Sequence, residues 1–273
     1  MCLTETRGRI QSAETIVVKV GTSTITYPNG KLNLTIAEKL TRILSDLKNQ
    51  GRNVILVTSG AIEVGRVKMG LQRRPDNIPE KQALAAIGQV NLMYLYSKLL
   101  GEYGQVASQV LLTKDVLDGG IREQNAVNTF QTLFQYNSIP IVNENDTIST
   151  EQIQFGDNDT LSAIVSVLVK ADLLILLSDI DGLYTKDPNG NTDAELIHVV
   201  HGITEEIIMA SGSSHSAQGT GGMKTKIAAA QICHRYGIPM VIANGDNPHN
   251  INRVLAGDEV GTLFVPRKED VMV

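Results

Sequence analysis

The chain has 273 residues, of which 42% are hydrophobic, and it carries a formal net charge of −5. This length and apolar content are enough for a substantial core, so we expect a globular protein. The negative charge argues against a nucleic-acid partner or an anionic membrane surface, since either would require a basic surface. We also expect a cytoplasmic protein, because residues 1–12 are polar and no apolar run has the length of a membrane span or a secretory leader.

The first apolar run, residues 15–20 (TIVVKV), predicts a buried parallel strand. It contains Lys19 close to its carboxyl end, just before a turn at Gly21. A lysine in such a strand either extends its side chain to the surface or brings its ammonium group to a bound phosphate. The pattern leaves both interpretations open.

A helix is predicted next, over residues 35–51, with Thr35 and Glu38 forming a capping box at its start. Residues 54–58 then predict a second buried strand, which ends at Ser59 where a further helix begins. Polar residues therefore follow the carboxyl end of this strand, as they do after the first strand.

The rest of the chain continues the alternation of helices and strands. Gly88 lies within a long helical pattern and indicates close packing. Asp157 or Asn158 is expected to cap a later helix with its side chain. Cys2 and Cys233 suggest neither a disulfide framework nor a metal site, and Cys233 is expected in the core. The predicted helices cover residues 79–104, 122–137 and 161–170, and the predicted strands cover 106–112, 139–142, 173–177, 239–243 and 261–264.

A glycine-rich stretch, residues 219–226 (GTGGMKTK), precedes a helical pattern over residues 227–236. Glycines let the backbone approach a ligand closely, and the amino end of a helix attracts phosphate. The common G-x-x-x-x-G-K-[ST] phosphate loop does not fit, because Lys224 occupies the second glycine position. The alternative interpretation is a flexible linker before a surface helix.

Strands that alternate with helices predict a mostly parallel sheet covered on both faces. In such sheets, ligands bind outside the carboxyl ends of the strands, which is where the polar clusters of this chain lie. The stretches that follow strands and carry these clusters are VTSGAI at 57–62, VNEND at 142–146, GDND at 156–159 and LSDIDGLYTKDP at 177–188.

Together with VVKVGTS at 17–23 and GTGGMKTK at 219–226, these motifs resemble the amino-acid kinase family over nearly the whole chain. The resemblance implies a three-layer α/β/α sandwich with a mostly parallel central sheet. It implies one domain over residues 13–265, with a phosphoacceptor half before about residue 170 and a nucleotide half from about residue 171. Residues 1–12 and 266–273 would be tails, and the C-terminal PUA-type module of some relatives would be absent.

The resemblance further implies ATP-dependent phosphorylation of the γ-carboxylate of L-glutamate, the first step of proline biosynthesis. ATP would bring Mg²⁺, which binds mainly to its phosphates. Proline would act as an inhibitor, and the protein would form a homo-oligomer, a dimer or tetramer. Two alternatives are a kinase of the same scaffold that acts on acetylglutamate or aspartate, and a non-catalytic sensor of proline or glutamate.

The resemblance also assigns site residues. The catalytic set is Lys19, Lys226 and Asp159, in which the two lysines bind phosphate and Asp159 positions both ammonium groups. No general base is required, because a glutamate carboxylate is already ionised at neutral pH. Ser59, Asp146 and Asn158 would bind glutamate, with Ser59 and Asn158 donating hydrogen bonds to carboxylates and Asp146 meeting the ammonium group. ATP would be bound by Lys19, Gly21, Ser178, Asp179, Thr220, Gly221, Gly222, Met223, Lys224, Thr225 and Lys226.

Overall fold

The structure is a computed structural model that describes residues 3–117, 119–149, 158–188, 190–205, 207 and 222–266. The helices are α1 Leu3–Gln11, α2 Thr22–Ile25, α3 Leu34–Asn49, α4 Ala61–Lys68, α5 Ile78–Gly101, α6 Ile121–Gln135, α7 Asp159–Leu168, α8 Met223–Arg235 and α9 Asn250–Ala256, with a 3₁₀ helix at Lys114–Leu117. The strands are β1 Thr15–Val20, β2 Asn53–Val57, β3 Ala107–Leu112, β4 Ile139–Glu144, β5 Leu173–Ser178, β6 Val199–His201, β7 Met240–Asn244 and β8 Thr262–Val265.

Within the described ranges, the strands form one eight-stranded sheet in the order β3-β4-β2-β1-β5-β7-β8-β6. Neighbouring strands run parallel, except that β7 and β8 pair antiparallel. Each face of the sheet carries its own apolar cluster, one with α1, α3, α4, α5 and α9 and the other with α6, α7 and α8. The α/β/α sandwich with a mostly parallel sheet is therefore confirmed.

Strand β1 lies in the middle of this sheet, between β2 and β5. Side chains of a strand alternate between its two faces, so Val18 faces the cluster that contains α5 while Val17 faces the cluster that contains α7 and α8. Lys19 is on the same face as Val17. The strand periodicity therefore directs the buried lysine toward α7 and α8 and away from solvent.

The start of α3 differs from the prediction. The helix begins at Leu34, and the side chain of Asn33 accepts a hydrogen bond from the Ile36 backbone nitrogen at 3.2 Å. The capping box predicted from Thr35 and Glu38 is therefore wrong. Asparagine is as good a cap as threonine, and here it precedes the first apolar residue of the helix by one position.

The expectation that residues 1–12 form a tail is also wrong for the described part of that range. Residues 3–11 form α1, which buries Ile10 in the core and contacts α9 near the other end of the chain. The Gln11 side chain donates to the Ala256 carbonyl at 2.9 Å, and Arg7 forms an exposed ion pair with Glu259. Two apolar residues seven positions apart, Leu3 and Ile10, gave too weak a periodicity to predict this helix.

Helices α4 and α5 pack against each other at unusually close range because two glycines face the contact. A Cβ atom on Gly88 would lie 1.7 Å from the Ala61 carbonyl oxygen, and one on Gly65 would lie 2.0 Å from the Leu84 carbonyl oxygen. The close packing predicted at Gly88 is confirmed. It presses α5 against the first residue of α4, which places polar groups of α5 beside the end of β2.

Two remaining expectations concern Cys233 and the possibility of a membrane-spanning helix. Cys233 is a free, buried residue of the core, and burial raises the pKa of its thiol. Of the helices in the described residues, none combines the length and apolarity needed to cross a bilayer.

Candidate active site

The carboxylate of Asp159 connects two lysines that are 207 positions apart in the sequence. Its Oδ1 lies 2.5 Å from the Lys19 Nζ, and its Oδ2 lies 3.1 Å from the Lys226 Nζ. The exposed fractions are 0% for Asp159, 5% for Lys19 and 4% for Lys226. Both amines therefore converge on one acidic side chain, as the resemblance implied.

Three elements bring these side chains together at the carboxyl end of the central strands. Lys19 is the penultimate residue of β1, Asp159 is the first residue of α7, and Lys226 lies in the first turn of α8. An acidic residue in the first turn is favoured by the helix dipole, and it can hold a cation there. Helix α7 packs on both β1 and α8, which holds Asp159 between the two lysines.

The first turn of α8 contributes further polar groups. The Thr225 hydroxyl lies 3.1 Å from Asp159 Oδ2 and donates to the Gly222 carbonyl at 2.8 Å. Met223 begins the helix, and the amino end of α8 lies beside Asp159 because Thr225 and Lys226 contact its carboxylate. Lys224 is exposed on the same turn. Thr220 and Gly221, predicted to bind ATP, lie outside the described residues.

The other predicted ATP residues lie near the same ends of the sheet. Gly21 follows β1, and a Cβ built on it would lie 3.7 Å from Lys19 Nζ. Ser178 ends β5, where its hydroxyl donates to Asp179 Oδ1 at 3.0 Å. The Ser178 carbonyl accepts from the backbone nitrogen of Gly245 at 2.7 Å, which ties β5 to the turn after β7.

A second group of polar residues near the site begins at the end of β2. Ser59 is buried, and Gly60 has a φ of +98° as it starts α4. That left-handed conformation costs a glycine little and other residues much, so glycine is required at this turn. The turn leaves backbone N–H groups of the first turn of α4 without helical partners, which makes it suitable for a carboxylate.

Asn158 is placed differently from its predicted roles. Its side chain forms no capping hydrogen bond to α7. The amide nitrogen instead donates to the Thr58 carbonyl at 2.5 Å and to Asn143 Oδ1 at 2.7 Å. Side-chain capping by Asn158 is therefore wrong, and Asp157, the alternative cap, lies outside the described residues. We expected Asn158 to donate a hydrogen bond to a substrate carboxylate. In this arrangement it does not, because both of its amide hydrogens are donated within the protein.

Asp146 follows β4 and is half-buried. Burial raises the pKa of its carboxyl group to about 6, while the positive charge of Arg74 acts in the opposite direction. A carboxylate that is poorly hydrated attracts a cation more strongly than one in water. Asp146 is therefore suited to an ammonium group, and its charge depends on pH in the range near 6.

Three supporting residues were not predicted as part of the site: Thr58, Gln89 and Asn143. Asn143 Nδ2 donates to Gln89 Oε1 at 2.8 Å, and the Thr58 hydroxyl is hydrogen-bonded to the Tyr96 hydroxyl at 2.8 Å. The sequence did contain a signal for Gln89, because this polar residue lies in the buried stripe of α5, whose other members are aliphatic residues, a glycine and a tyrosine. A polar residue there needs a partner.

The arrangement supports one kind of chemistry. Two lysines and one aspartate carry a formal charge of +1 together, and the amino end of α8 adds a partial positive charge. Such a site stabilises the oxygens of a phosphate group as negative charge moves between them. In the described ranges, no group of three or more His, Cys, Asp or Glu side chains is placed to hold a metal ion.

Fold and site together define an α/β/α sandwich protein whose parallel strands end at a site for a phosphate-bearing ligand. The chain belongs to the amino acid kinase family, whose model matches residues 14–244. It is 52% identical over 266 residues to the glutamate 5-kinase of Clostridium perfringens, covering 96% of this chain and 99% of that protein. It is 50% identical over 268 residues to the glutamate 5-kinase of Listeria innocua, covering 97% of each.

Among solved structures, the UMP kinase of Bacillus anthracis superposes with a TM-score of 0.63 at 16% identity, covering 93% of this chain and 96% of that one. At this identity the similarity shows a shared fold and carries no information about substrate.

Proposed function

We propose that this chain is a glutamate 5-kinase, which transfers the γ-phosphoryl group of ATP to the γ-carboxylate of L-glutamate and so begins proline biosynthesis. The observation that carries the proposal is the Lys19–Asp159–Lys226 cluster, in a chain that is 52% identical to a glutamate 5-kinase along its length. The cluster supplies the charges that phosphoryl transfer needs, and the similarity to the relative extends over 96% of this chain.

The reaction requires compensation of charge more than transfer of protons. A carboxylate oxygen of glutamate forms a bond to the γ-phosphorus, while the bond from that phosphorus to the bridging oxygen of ADP breaks. The attacking carboxylate is already ionised, so no base has to remove a proton. Two anions must nevertheless approach each other, and fixed cations on the transferring oxygens lower the cost.

We assign that task to Lys19 and Lys226. Each ammonium group carries three N–H donors and is held beside Asp159, and phosphate oxygens are acceptors that such a group binds. Asp159 positions the amines and does not act as a base. Because Lys19 precedes residue 170 and Lys226 follows it, the cluster would join the proposed phosphoacceptor half to the proposed nucleotide half.

The nucleotide would lie along the carboxyl ends of β5 and β7 and against the first turn of α8. Ser178, Asp179, Gly222 and Thr225 line these positions, and we include Thr220 and Gly221 in the proposed loop on the basis of their sequence. Mg²⁺ would be bound mainly through the ATP phosphates and would neutralise part of their charge.

Glutamate would lie between the end of β2 and the loop after β4. Asp146 suits its ammonium group, while Ser59 and the amino end of α4 suit a carboxylate. Asn158 would present its Oδ1 oxygen to the substrate, because both of its amide hydrogens are already donated. These roles require a zwitterionic acceptor, which favours free glutamate over N-acetylglutamate.

The test is an acceptor panel with ATP, Mg²⁺ and hydroxylamine, which traps acyl phosphates as hydroxamates. We expect hydroxamate with L-glutamate and at least a hundredfold lower kcat/KM with L-aspartate, N-acetylglutamate and acetate. A preference for one of the other acids would assign the chain to a different carboxylate kinase. Absence of turnover with all four acids, together with ATP binding, would favour a non-catalytic sensor.

We also propose inhibition by proline and assembly into a homo-oligomer. Proline shares the α-ammonium and α-carboxylate groups of glutamate, so Asp146 could bind either amino acid. Val90 and Tyr94, exposed to 70% and 71% on α5, offer an apolar surface to a second copy of the chain. Hydroxamate formation with added proline and light scattering of the purified protein test the two points separately.

A further inference from the structure

A buried hydrogen-bonded chain leads from helix α5 to the acceptor side of the site. Gln89 Oε1 accepts from Asn143 Nδ2 at 2.8 Å, and Asn143 Oδ1 accepts from Asn158 Nδ2 at 2.7 Å. The exposed fractions are 9% for Gln89, 2% for Asn143 and 6% for Asn158. These three amides therefore bond to one another with almost no competition from water.

We propose that Gln89 is a positioning residue for the phosphate acceptor, acting through Asn143 on Asn158. An asparagine amide can be rotated by 180° to exchange its oxygen and nitrogen, and only its hydrogen bonds decide between the two orientations. Gln89 presents an oxygen to Asn143, so Asn143 must turn its nitrogen to α5. Its oxygen then faces Asn158, which must turn its nitrogen inward.

The second hydrogen of Asn158 completes the argument. It is donated to the backbone carbonyl of Thr58, the residue immediately before Ser59. The backbone nitrogen of Glu144 also donates to Asn143 Oδ1 at 2.9 Å and fixes the same orientation of that amide. With both hydrogens of Asn158 directed into the protein, its Oδ1 is the group left for the substrate, and Asp159 follows at the next position.

One donor of the Gln89 side chain has no hydrogen-bond partner in this arrangement. Among the described residues, no acceptor lies within hydrogen-bonding distance of its buried Nε2. An unsatisfied buried donor is unfavourable, so stability alone would favour an apolar residue at this position of α5. A role in orienting Asn143 explains why an amide occupies it.

Tyr96 provides a matched control about two turns further along the same helix. Its hydroxyl is hydrogen-bonded to the Thr58 hydroxyl at 2.8 Å, and it is fully buried. This bond involves the side chain of Thr58, whereas Asn158 donates to the Thr58 carbonyl. Tyr96→Phe therefore removes one buried hydrogen bond of α5 without interrupting the chain of amides.

The inference rests on the proposed function, and wild-type turnover with glutamate is measured first. Gln89→Met retains the size of the side chain and removes the acceptor. We expect its KM for glutamate to rise about tenfold, the size expected for one buried neutral hydrogen bond, with the KM for ATP within twofold of wild type. Gln89→Glu retains an acceptor oxygen toward Asn143, so its KM for glutamate should stay within about threefold.

Tyr96→Phe should leave the KM for glutamate within twofold, although it lowers the melting temperature by removing a buried hydrogen bond. A wild-type protein without turnover on glutamate would contradict the proposed function. With an active wild type, the positioning role would be overturned if Gln89→Met keeps its KM for glutamate or raises both KM values alike. It would also be overturned if Tyr96→Phe reproduces the tenfold increase. Should Gln89→Met not fold, Gln89→Leu, which also removes the acceptor toward Asn143, is measured in its place against the same limits.

Discussion

Replacing Asp159 by asparagine tests the central electrostatic feature of the site. The substitution keeps the shape of the side chain and removes its charge, so one amide must face two lysines that previously shared a carboxylate. Its oxygen can accept from one ammonium group, but its nitrogen then faces the other as a second donor. Because Lys19 and Lys226 are 5% and 4% exposed, water cannot replace the lost acceptor easily.

The size of the effect follows from the distances. A pair of unit charges about 3 Å apart is worth roughly 5 kcal/mol at an effective dielectric constant near 20, before the cost of desolvation. Breaking a buried pair by removing one partner typically lowers the free energy of unfolding by about 3–5 kcal/mol. For a chain of this size we expect the melting temperature to decrease by about 5–9 °C.

Kinetics and ligand binding should separate this role from simple destabilisation. Without Asp159, the lysines lose their fixed geometry but keep their positive charge. We therefore expect kcat with glutamate to fall at least a hundredfold, whereas the KM for ATP does not increase. ATP should also raise the melting temperature of Asp159→Asn more than that of wild type, because its phosphates replace the missing negative charge.

Asp172→Asn is the control for Asp159→Asn. Asp172 Oδ2 accepts from the backbone nitrogens of Glu14 and Thr15, at the opposite end of β1 from Lys19. That variant should keep both KM values and kcat. The reasoning would be refuted if Asp159→Asn retained kcat within threefold, or if ATP stabilised it less than it stabilises wild type.

Three further predictions concern separate parts of the structure. Lys19→Ala should fold and lose about three decades of kcat, because a cation near 4 Å from a phosphate oxygen is worth on the order of 4 kcal/mol; near-normal turnover would remove Lys19 from the mechanism. The kcat/KM for glutamate should decrease as pH falls through about 6, where Asp146 becomes protonated and loses its attraction for the ammonium group. Asp146→Ala should raise the KM for glutamate, and its kcat/KM should not show this decrease near pH 6. An unchanged KM would make Asp146 a structural residue. Gly88→Ala should lower the free energy of unfolding by about 1–3 kcal/mol, because its Cβ would lie 1.7 Å from the Ala61 carbonyl oxygen. Gly101→Ala is the control and should not destabilise the protein, because a Cβ at that position meets nothing within 4 Å. Equal melting temperatures of the two variants would contradict the packing argument.

The parallel core strands could be predicted from residue pattern because their signal is local. A continuous apolar run such as residues 173–177 is buried on both faces of a parallel sheet, and the structure extends it only to Ser178. Strand β6 was missed, because its three residues, Val199–His201, are too few to show a period. Helix α1 was missed for a related reason, since its burial depends on a contact with α9 at the other end of the chain.

The residue types of the proposed catalytic cluster were also evident from the motifs, since lysines beside glycine turns and acidic residues after apolar strands point to phosphate chemistry. Which oxygen of Asp159 meets which lysine was decided by the packing of α7, α8 and β1, because the three elements come from distant parts of the chain. The orientation of Asn158 depended on the tertiary structure in the same way. Its partners are a backbone carbonyl 100 positions away and Asn143, and local sequence contains no information about contacts at that range.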